Sequence, residues 1–566
     1  MSKNSIFNFT GSLHLRKHKY VLNYHKYFDC DAGQLIPVAF EECVPGDIVK
    51  LGHETLIRMQ PLIKPIFGKL TYHTYSFFCP TRLLFGEYKQ DSEGNHYWDP
   101  DYKKFELFLS QGRDGRDHSV SLPMWTPTGE TVRNDAYYEW TVEGQSYSSG
   151  DVADNGVGSL WDYFGLPLNV VPKVYVKDPE SGASIEHDAV LAFPKMVYNL
   201  VYGEYFRDQN LMDFPDPMSS IVRNKCWKRD LFTSALPWQQ RGVAPALPLS
   251  GTLPVSFVNN AGDGAFLNHS SYKWGSIFPV SGDSTKLGFD IKGTGVLDAD
   301  VTAGSQMHSV SGSVDLSNAG TFTIAELRAS FQLQKWLERS ARGGTRMKEI
   351  LLAHFGEAPS DEVLSRPAFI GHTSTPILIS EVLQTSETTS ESAQGNLSGH
   401  GVSASRGYIG KYHAKEFGYI ITLGCIVPDT SYSQGINRQF TKHSRWDFFW
   451  PETMFLSEEA VRQMEIFAGD DAAENASVFG YQSRFYELRS RQNIFCGNFR
   501  SDLKFWHMGR EFGDAPLLNE SFVKMVPTKR IFASIEEPGF LVDHFNVHTW
   551  YRPIPKNIEP GLIDHI

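Results

Sequence analysis

Gly418-Tyr-Ile-Ile-Thr-Leu-Gly-Cys-Ile-Val427 decides the fold class. The run is apolar and rich in β-branched residues, carries no charge, and ends at Pro428. A short run of that kind reads as a strand buried on both faces. Leu70-Thr-Tyr-His-Thr-Tyr-Ser-Phe-Phe-Cys79 is a second strand, rich in aromatics and Thr and stopped by Pro80. Pro376-Ile-Leu-Ile-Ser-Glu-Val-Leu383 and Phe545-Asn-Val-His-Thr-Trp-Tyr-Arg-Pro553 are two more. Strands thus gather at both ends of the chain, with loops and a few helices between. That order predicts one β-sandwich with long insertions.

The insertions have their own signatures. Residues 90–150 are polar and Gly-rich and read as loops with one short helix near Lys103 to Leu109. Leu160 to Pro167 predicts a short helix stopped by Gly165, and Phe193 to Arg207 a longer one with Pro194 in its first turn. Residues 243–322 are dominated by Gly, Ser, Asn, Thr and Asp, and their length argues for a projecting β-rich insertion rather than a bare loop. Ser386 to Ser405 reads as a mobile Ser/Gly loop.

Between them lies the longest run of helix formers, Ile324 to Gly356. Leu327, Phe331, Met347, Ile350 and Leu351 recur at helical spacing, so two helices flank a break at Gly343 and Gly344. Thr345 is placed to cap the second helix and Gly356 to end it. Arg339, Arg342 and Arg346 crowd the break. Three readings of this elbow stand open: arginines paired with nearby carboxylates, a phosphate site, or a subunit interface.

Composition bounds the function. With 13% aromatic residues, 48 Gly and 30 Pro, the 566-residue chain is suited to β structure with many turns. A net charge of -12 excludes a general nucleic-acid sponge. Residues 1–28 depart from that balance, holding Lys3, Arg16, Lys17, Lys19 and Lys26 and no acid. Phe7, Phe9, Tyr20, Tyr24, Tyr27 and Phe28 interleave with those cations, a mixture that suits phosphates and unpaired bases. The same aromatics would equally suit packing on a neighbouring subunit. The six cysteines are scattered without metal-ligand spacing, which predicts reduced, buried thiols and no metal site.

Catalytic motifs are missing: no G-x-S-x-G, H-E-x-x-H or phosphate-binding glycine loop is present. His73, His354, His443 and His507 stand alone in the sequence. Glu41-Glu42 and Glu458-Glu459 would serve a glycosidase only across a cleft, and adjacent strand positions point to opposite faces. Asp470-Asp471 is a weak cation signal. No enzyme, cofactor or metal is expected.

Several stretches in order resemble the major capsid protein of the Microviridae, especially its gokushovirus-like branch. They include Gly33-Gln-Leu-Ile-Pro37, Val44-Pro-Gly-Asp47, Phe77-Phe-Cys-Pro-Thr-Arg-Leu83 and Trp161-Asp-Tyr-Phe-Gly-Leu-Pro167. Glu204-Tyr-Phe-Arg-Asp-Gln-Asn-Leu211, Phe232-Thr-Ser-Ala-Leu-Pro-Trp238 and Glu338-Arg-Ser-Ala-Arg-Gly-Gly-Thr-Arg346 follow. Arg366-Pro-Ala-Phe-Ile-Gly371 and Phe505-Trp-His-Met-Gly-Arg-Glu-Phe-Gly513 complete the series. Nothing matches in 90–150 or 243–322.

The resemblance implies an eight-stranded antiparallel jelly roll with long, partly helical inter-strand insertions. It implies a T = 1 icosahedral shell of about 60 copies around a single-stranded DNA genome. Small basic DNA-binding proteins, minor virion proteins and a host surface receptor are the further partners it implies, with synthesis in the bacterial host cytoplasm. Residues 1–28 become a basic arm, with Arg16, Lys17, Lys19 and Lys26 facing DNA inside. Residues 29–566 become one jelly-roll domain, with 243–322 as its surface projection. Arg339, Arg342, Gly343, Gly344 and Arg346 become a candidate interface. The alternative is a β-sandwich protein that binds or cleaves carbohydrate.

Overall fold

Eight long strands build the scaffold: β1 Tyr24–Cys30, β2 Ile36–Cys43, β3 Ile48–Met59, β4 Leu70–Pro80, β5 Ala368–Leu383, β6 Leu397–His413, β7 Gly418–Pro428 and β8 Phe540–Arg552. The computed structural model describes residues 16–110, 122–142, 145–177, 184–245, 324–344, 346–361, 364–383, 397–454, 456 and 458–556, plus the short strands Val255–Val258, Ile277–Pro279, Leu287–Phe289 and Ser311–Val314. Lys3, Thr345, most of 243–322 and the first part of Ser386–Ser405 lie outside the described residues.

Every pairing in the scaffold is antiparallel. One sheet runs β1-β8-β3-β6 and the other β2-β7-β4-β5. Strands that alternate between two sheets in this way make the double Greek key of a jelly roll. β5 joins the two sheets: Ala368 to Ile377 pair with β4, and Leu378 to Leu383 pair with β6. Pro376 sits at that changeover, and a residue without an N–H is tolerated where pairing shifts from one neighbour to the next. The strand therefore starts well before the Pro376 boundary read from the sequence.

β6 corrects a larger misreading. Its first half, Leu397 to Ser405, is an internal strand paired with β5 and β3 rather than a loop. Its glycines are there for close approach: a side chain at Gly399 would meet the Pro65 backbone, and one at Gly401 would overlap Met59. Residues 90–150 also hold more structure than loops. The short helix expected near Lys103 to Leu109 is present as Tyr102–Ser110, and the unexpected element is the long hairpin Thr131–Val142 with Gln145–Ala153.

The two sheets differ in cover. β7 is buried along almost its whole length, as its unbroken apolar sequence predicts. Helix α1, Phe193–Tyr205, lies beside this sheet, and Phe77 and Tyr75 of β4 pack on Phe206 at 5.8 and 5.2 Å between ring centroids. β3 and β8 alternate instead. Val49, Leu51, Ile57 and Met59 with Phe540, Val542 and Trp550 point inward, while the intervening residues are exposed or half-buried. Full burial of each large apolar side chain contributes roughly 1.5–3 kcal/mol.

The interior is partly polar. His53 of β3 and His544 of β8 face each other with ring centroids 5.2 Å apart, and His548 Nδ1 lies 2.6 Å from Glu41. The Tyr72 hydroxyl is 3.2 Å from His544 and the Thr373 hydroxyl 3.0 Å from His53. Burial, aided by His548, lowers the His53 pKa from its ordinary 6.5 to about 4, and burial pushes His544 further down. Above the ordinary value both states are neutral, so His53 costs nothing. As pH falls from 6.5 towards 4, the unfolded chain takes up a proton that the folded chain refuses. His53 alone should then remove about 3 kcal/mol of stability across that window. Urea denaturation of the soluble chain at stepped pH checks this, and His53→Gln should flatten the dependence.

The chain divides into two compact units, one of residues 1–242 with 337–566 and one of residues 243–336. The second contains two short antiparallel strand pairs, Val255–Val258 with Ser311–Val314 and Ile277–Pro279 with Leu287–Phe289. Among the described residues no helix is long and apolar enough to cross a membrane. The cysteines are free, but Cys496 is exposed and Cys226 half-buried, so only four match the buried expectation.

Candidate assembly and nucleic-acid surfaces

The basic arm is not a separate arm over its described length. His18–Val21 pairs with the end of β8, and β1 pairs with the rest of it. Residues alternate in and out accordingly. Arg16, Lys17 and Lys19 are exposed, whereas Lys26 points inward. Its ammonium donates to the carbonyls of Pro37, at 2.6 Å, and Tyr163, and burial lowers its pKa to about 8. A cation committed to two backbone carbonyls does not reach a phosphate, so Lys26 leaves the candidate set.

The elbow forms where it was predicted, with α2 at Ile324–Gly343 and α3 at Met347–Phe355. Gly344 has φ +94° and Gly356 +76°, the left-handed angles that glycine takes without strain. Arg346 stands at the N-cap of α3, its N–H donating to the Glu349 carboxylate at 3.4 Å. The Arg346 guanidinium is largely buried and donates to the Gly203 carbonyl at 3.2 Å. Arg342 pairs with the buried carboxylate of Glu458. Two of the three arginines thus have partners within the subunit, although Arg342, like Arg339, remains exposed. Pairing with carboxylates of the same subunit therefore describes Arg342 and Arg346, with Glu458 and Glu349.

The paired carboxylates are occupied in the same manner. Glu41 faces His548, Glu42 is exposed on the opposite side, Glu458 meets Arg342, and Glu459 meets Arg438. Asp471 caps the helix Ala472–Ala476 through the Ala473 N–H at 2.9 Å. Nor does His73 stand alone, since its Nδ1 lies 2.8 Å from His372.

A surface without a role in the sequence reading stands out instead. Trp446, Phe448, Phe449, Trp450, Met454 and Leu456 are each 45–58% exposed within one short segment. Four such rings expose on the order of 400 Å² of apolar area, as much as the largest patch on a typical monomer. The segment is held in place. Asp447 accepts from the Ser444 and His443 N–H groups at 2.7 and 3.0 Å, and those bonds hold its carboxyl below the usual range. Trp450 donates to the Arg445 carbonyl at 2.9 Å. Behind it, Arg438 reaches Glu465 at 3.2 Å and Lys442 reaches the buried Glu487 at 2.9 Å. The signal in the sequence was the density of Trp and Phe without strand or helix period.

The family model described as "Capsid protein (F protein)" matches residues 11–104 and 155–562. Its gap, residues 105–154, largely overlaps 90–150, where no motif was recognised, but the match continues through 243–322. The chain is 30% identical to Capsid protein VP1 of Chlamydia phage 1, over 95% of this chain and 94% of that one. It is 29% identical to Capsid protein VP1 of Bdellovibrio phage phiMH2K, over 92% and 90%, and 27% identical to that of Spiroplasma virus 4, over 94% and 93%. A jelly roll with a rigid exposed aromatic segment, and a family match along most of its length, place this chain in the phage capsid protein (F protein) family.

Proposed function

We propose that the chain is the major shell subunit of a small phage, about 60 copies closing a T = 1 icosahedron around single-stranded DNA. The observation that carries the reading is the aromatic segment Trp446–Leu456, presented in the open on a jelly-roll scaffold. A shell subunit buries such surface against copies of itself, in contacts well above about 1,000 Å² each. Synthesis in the host cytoplasm agrees with the free thiols. Sedimentation of the purified full chain tests the reading: closed shells are expected, and a monomer under all assembly conditions would refute it.

Host attachment is assigned to the second unit, residues 243–336. Removing residues 255–315 should leave shell closure intact and reduce adsorption to host cells by at least about tenfold, if that unit supplies most of the attachment affinity. Adsorption assays on reconstituted particles measure this. Loss of closure on deletion would make the segment a structural contact instead.

A further inference from the structure

We propose that the solvent-facing side of sheet β1-β8-β3-β6 seats single-stranded nucleic acid, with its basic end at Lys19, Lys50 and Lys411. This rests on the shell-subunit reading and adds the surface on which the strand would lie.

The strand register puts these residues side by side. Lys19 pairs with Tyr551, which pairs with Ile48, which pairs with His413. One row on, Val21 pairs with Thr549, Thr549 with Lys50, and Lys50 with Lys411. These two rows hold three lysines and a histidine and no carboxylate, and exposed Arg16 and Lys17 lead into them. On a chain of net charge -12, that is a local reversal of sign. A polyanion fits it, and a second copy of the same acidic chain does not.

The adjoining rows supply rings and a floor. Val547, Gly52 and Tyr408 come next, and Tyr408 is 63% exposed. Then come His25, Phe545, Glu54 and Arg406. The carboxylates in this half already have partners: Arg406 lies 3.3 Å from Glu54 and His25 lies 2.9 Å from Asp543. Tyr27, 72% exposed, stacks on His25. Outward positions recur about every 7 Å along a strand and about every 5 Å across strands. A flexible single strand can therefore meet cations and ring faces together, whereas a stiff duplex cannot lay its bases on Tyr408. Among the described residues, α1 packs against the other sheet, on β7 and β4.

The test uses the full chain and a labelled thymidine oligonucleotide of about 30 nucleotides, a length that spans several single-strand sites. Affinity is measured over a salt series, and shell closure is followed by sedimentation. Lys50→Gln with Lys411→Gln should shallow the salt slope by about 1.4, at roughly 0.7 per phosphate contact. Tyr408→Ala should weaken binding roughly tenfold. Lys89→Gln, on the exposed Gly86–Pro100 hairpin, should change neither. Shells of all variants should still close. Unchanged affinity and slope in the first two variants would overturn the proposal, as would variants that bind the oligonucleotide but no longer close shells. A wild-type chain that binds as described yet never closes shells would refute the subunit reading and leave the face supported.

Discussion

Trp446→Asp with Phe448→Asp is expected to abolish shell formation while leaving the subunit folded. Both side chains are more than half exposed, and each lies against a cation, Arg445 at 4.8 Å from the Trp446 ring centre and Lys442 at 5.4 Å from that of Phe448. Neither ring belongs to the jelly-roll core. Removing them therefore costs the isolated chain within about 1 kcal/mol, the range of surface changes. At an interface the account differs. Buried aromatic anchors are worth about 2 kcal/mol or more apiece, and an aspartate in their place is a charge without a partner. The same loss recurs at every symmetric contact, so a shell amplifies it. Sedimentation velocity should show subunits only, with a thermal midpoint close to that of the unchanged chain. Shells closing normally would remove this segment from the interface.

Gly33→Ala is expected to prevent the barrel from folding. Gly33 lies between β1 and β2 with φ +97°, and a Cβ there would overlap the Met525 carbonyl oxygen. Its N–H donates to the Ile426 carbonyl at 2.8 Å, and its own carbonyl accepts from the Lys225 N–H at 2.9 Å. The position thus ties β7 and two insertions to the connection between the sheets, and it cannot shift to make room. Left-handed strain plus a backbone clash costs roughly 3–5 kcal/mol, a large part of the stability of a domain. Soluble yield and circular dichroism would show the loss. A variant with native stability would mean that the connection is looser than its hydrogen bonds indicate.

Elements whose local sequence and burial agree were legible. β7 is apolar because both of its faces are covered, and α1 shows helical spacing because it is buried on almost every turn. β6 was misread because its Ser and Gly residues are dictated by neighbours far away in sequence, Met59 and Pro65 among them. Lys26 looked like its basic neighbours until strand alternation turned it inward, onto the Pro37 and Tyr163 carbonyls. The elbow arginines were visible as a cluster, but their partners, Glu458 and the Gly203 carbonyl, lie more than a hundred positions away. The basic end of the open sheet face was hidden for the same reason. Lys19, Lys50 and Lys411 come from three distant stretches, and only the register brings them together.

An image reconstruction of particles assembled from the full chain tests the central claim most directly. The account predicts closed T = 1 shells in which residues 446–456 lie against a neighbouring copy and the Lys19, Lys50 and Lys411 face looks inward. Shells with residues 446–456 free on the outer surface, or a chain that yields no closed particle, would contradict it.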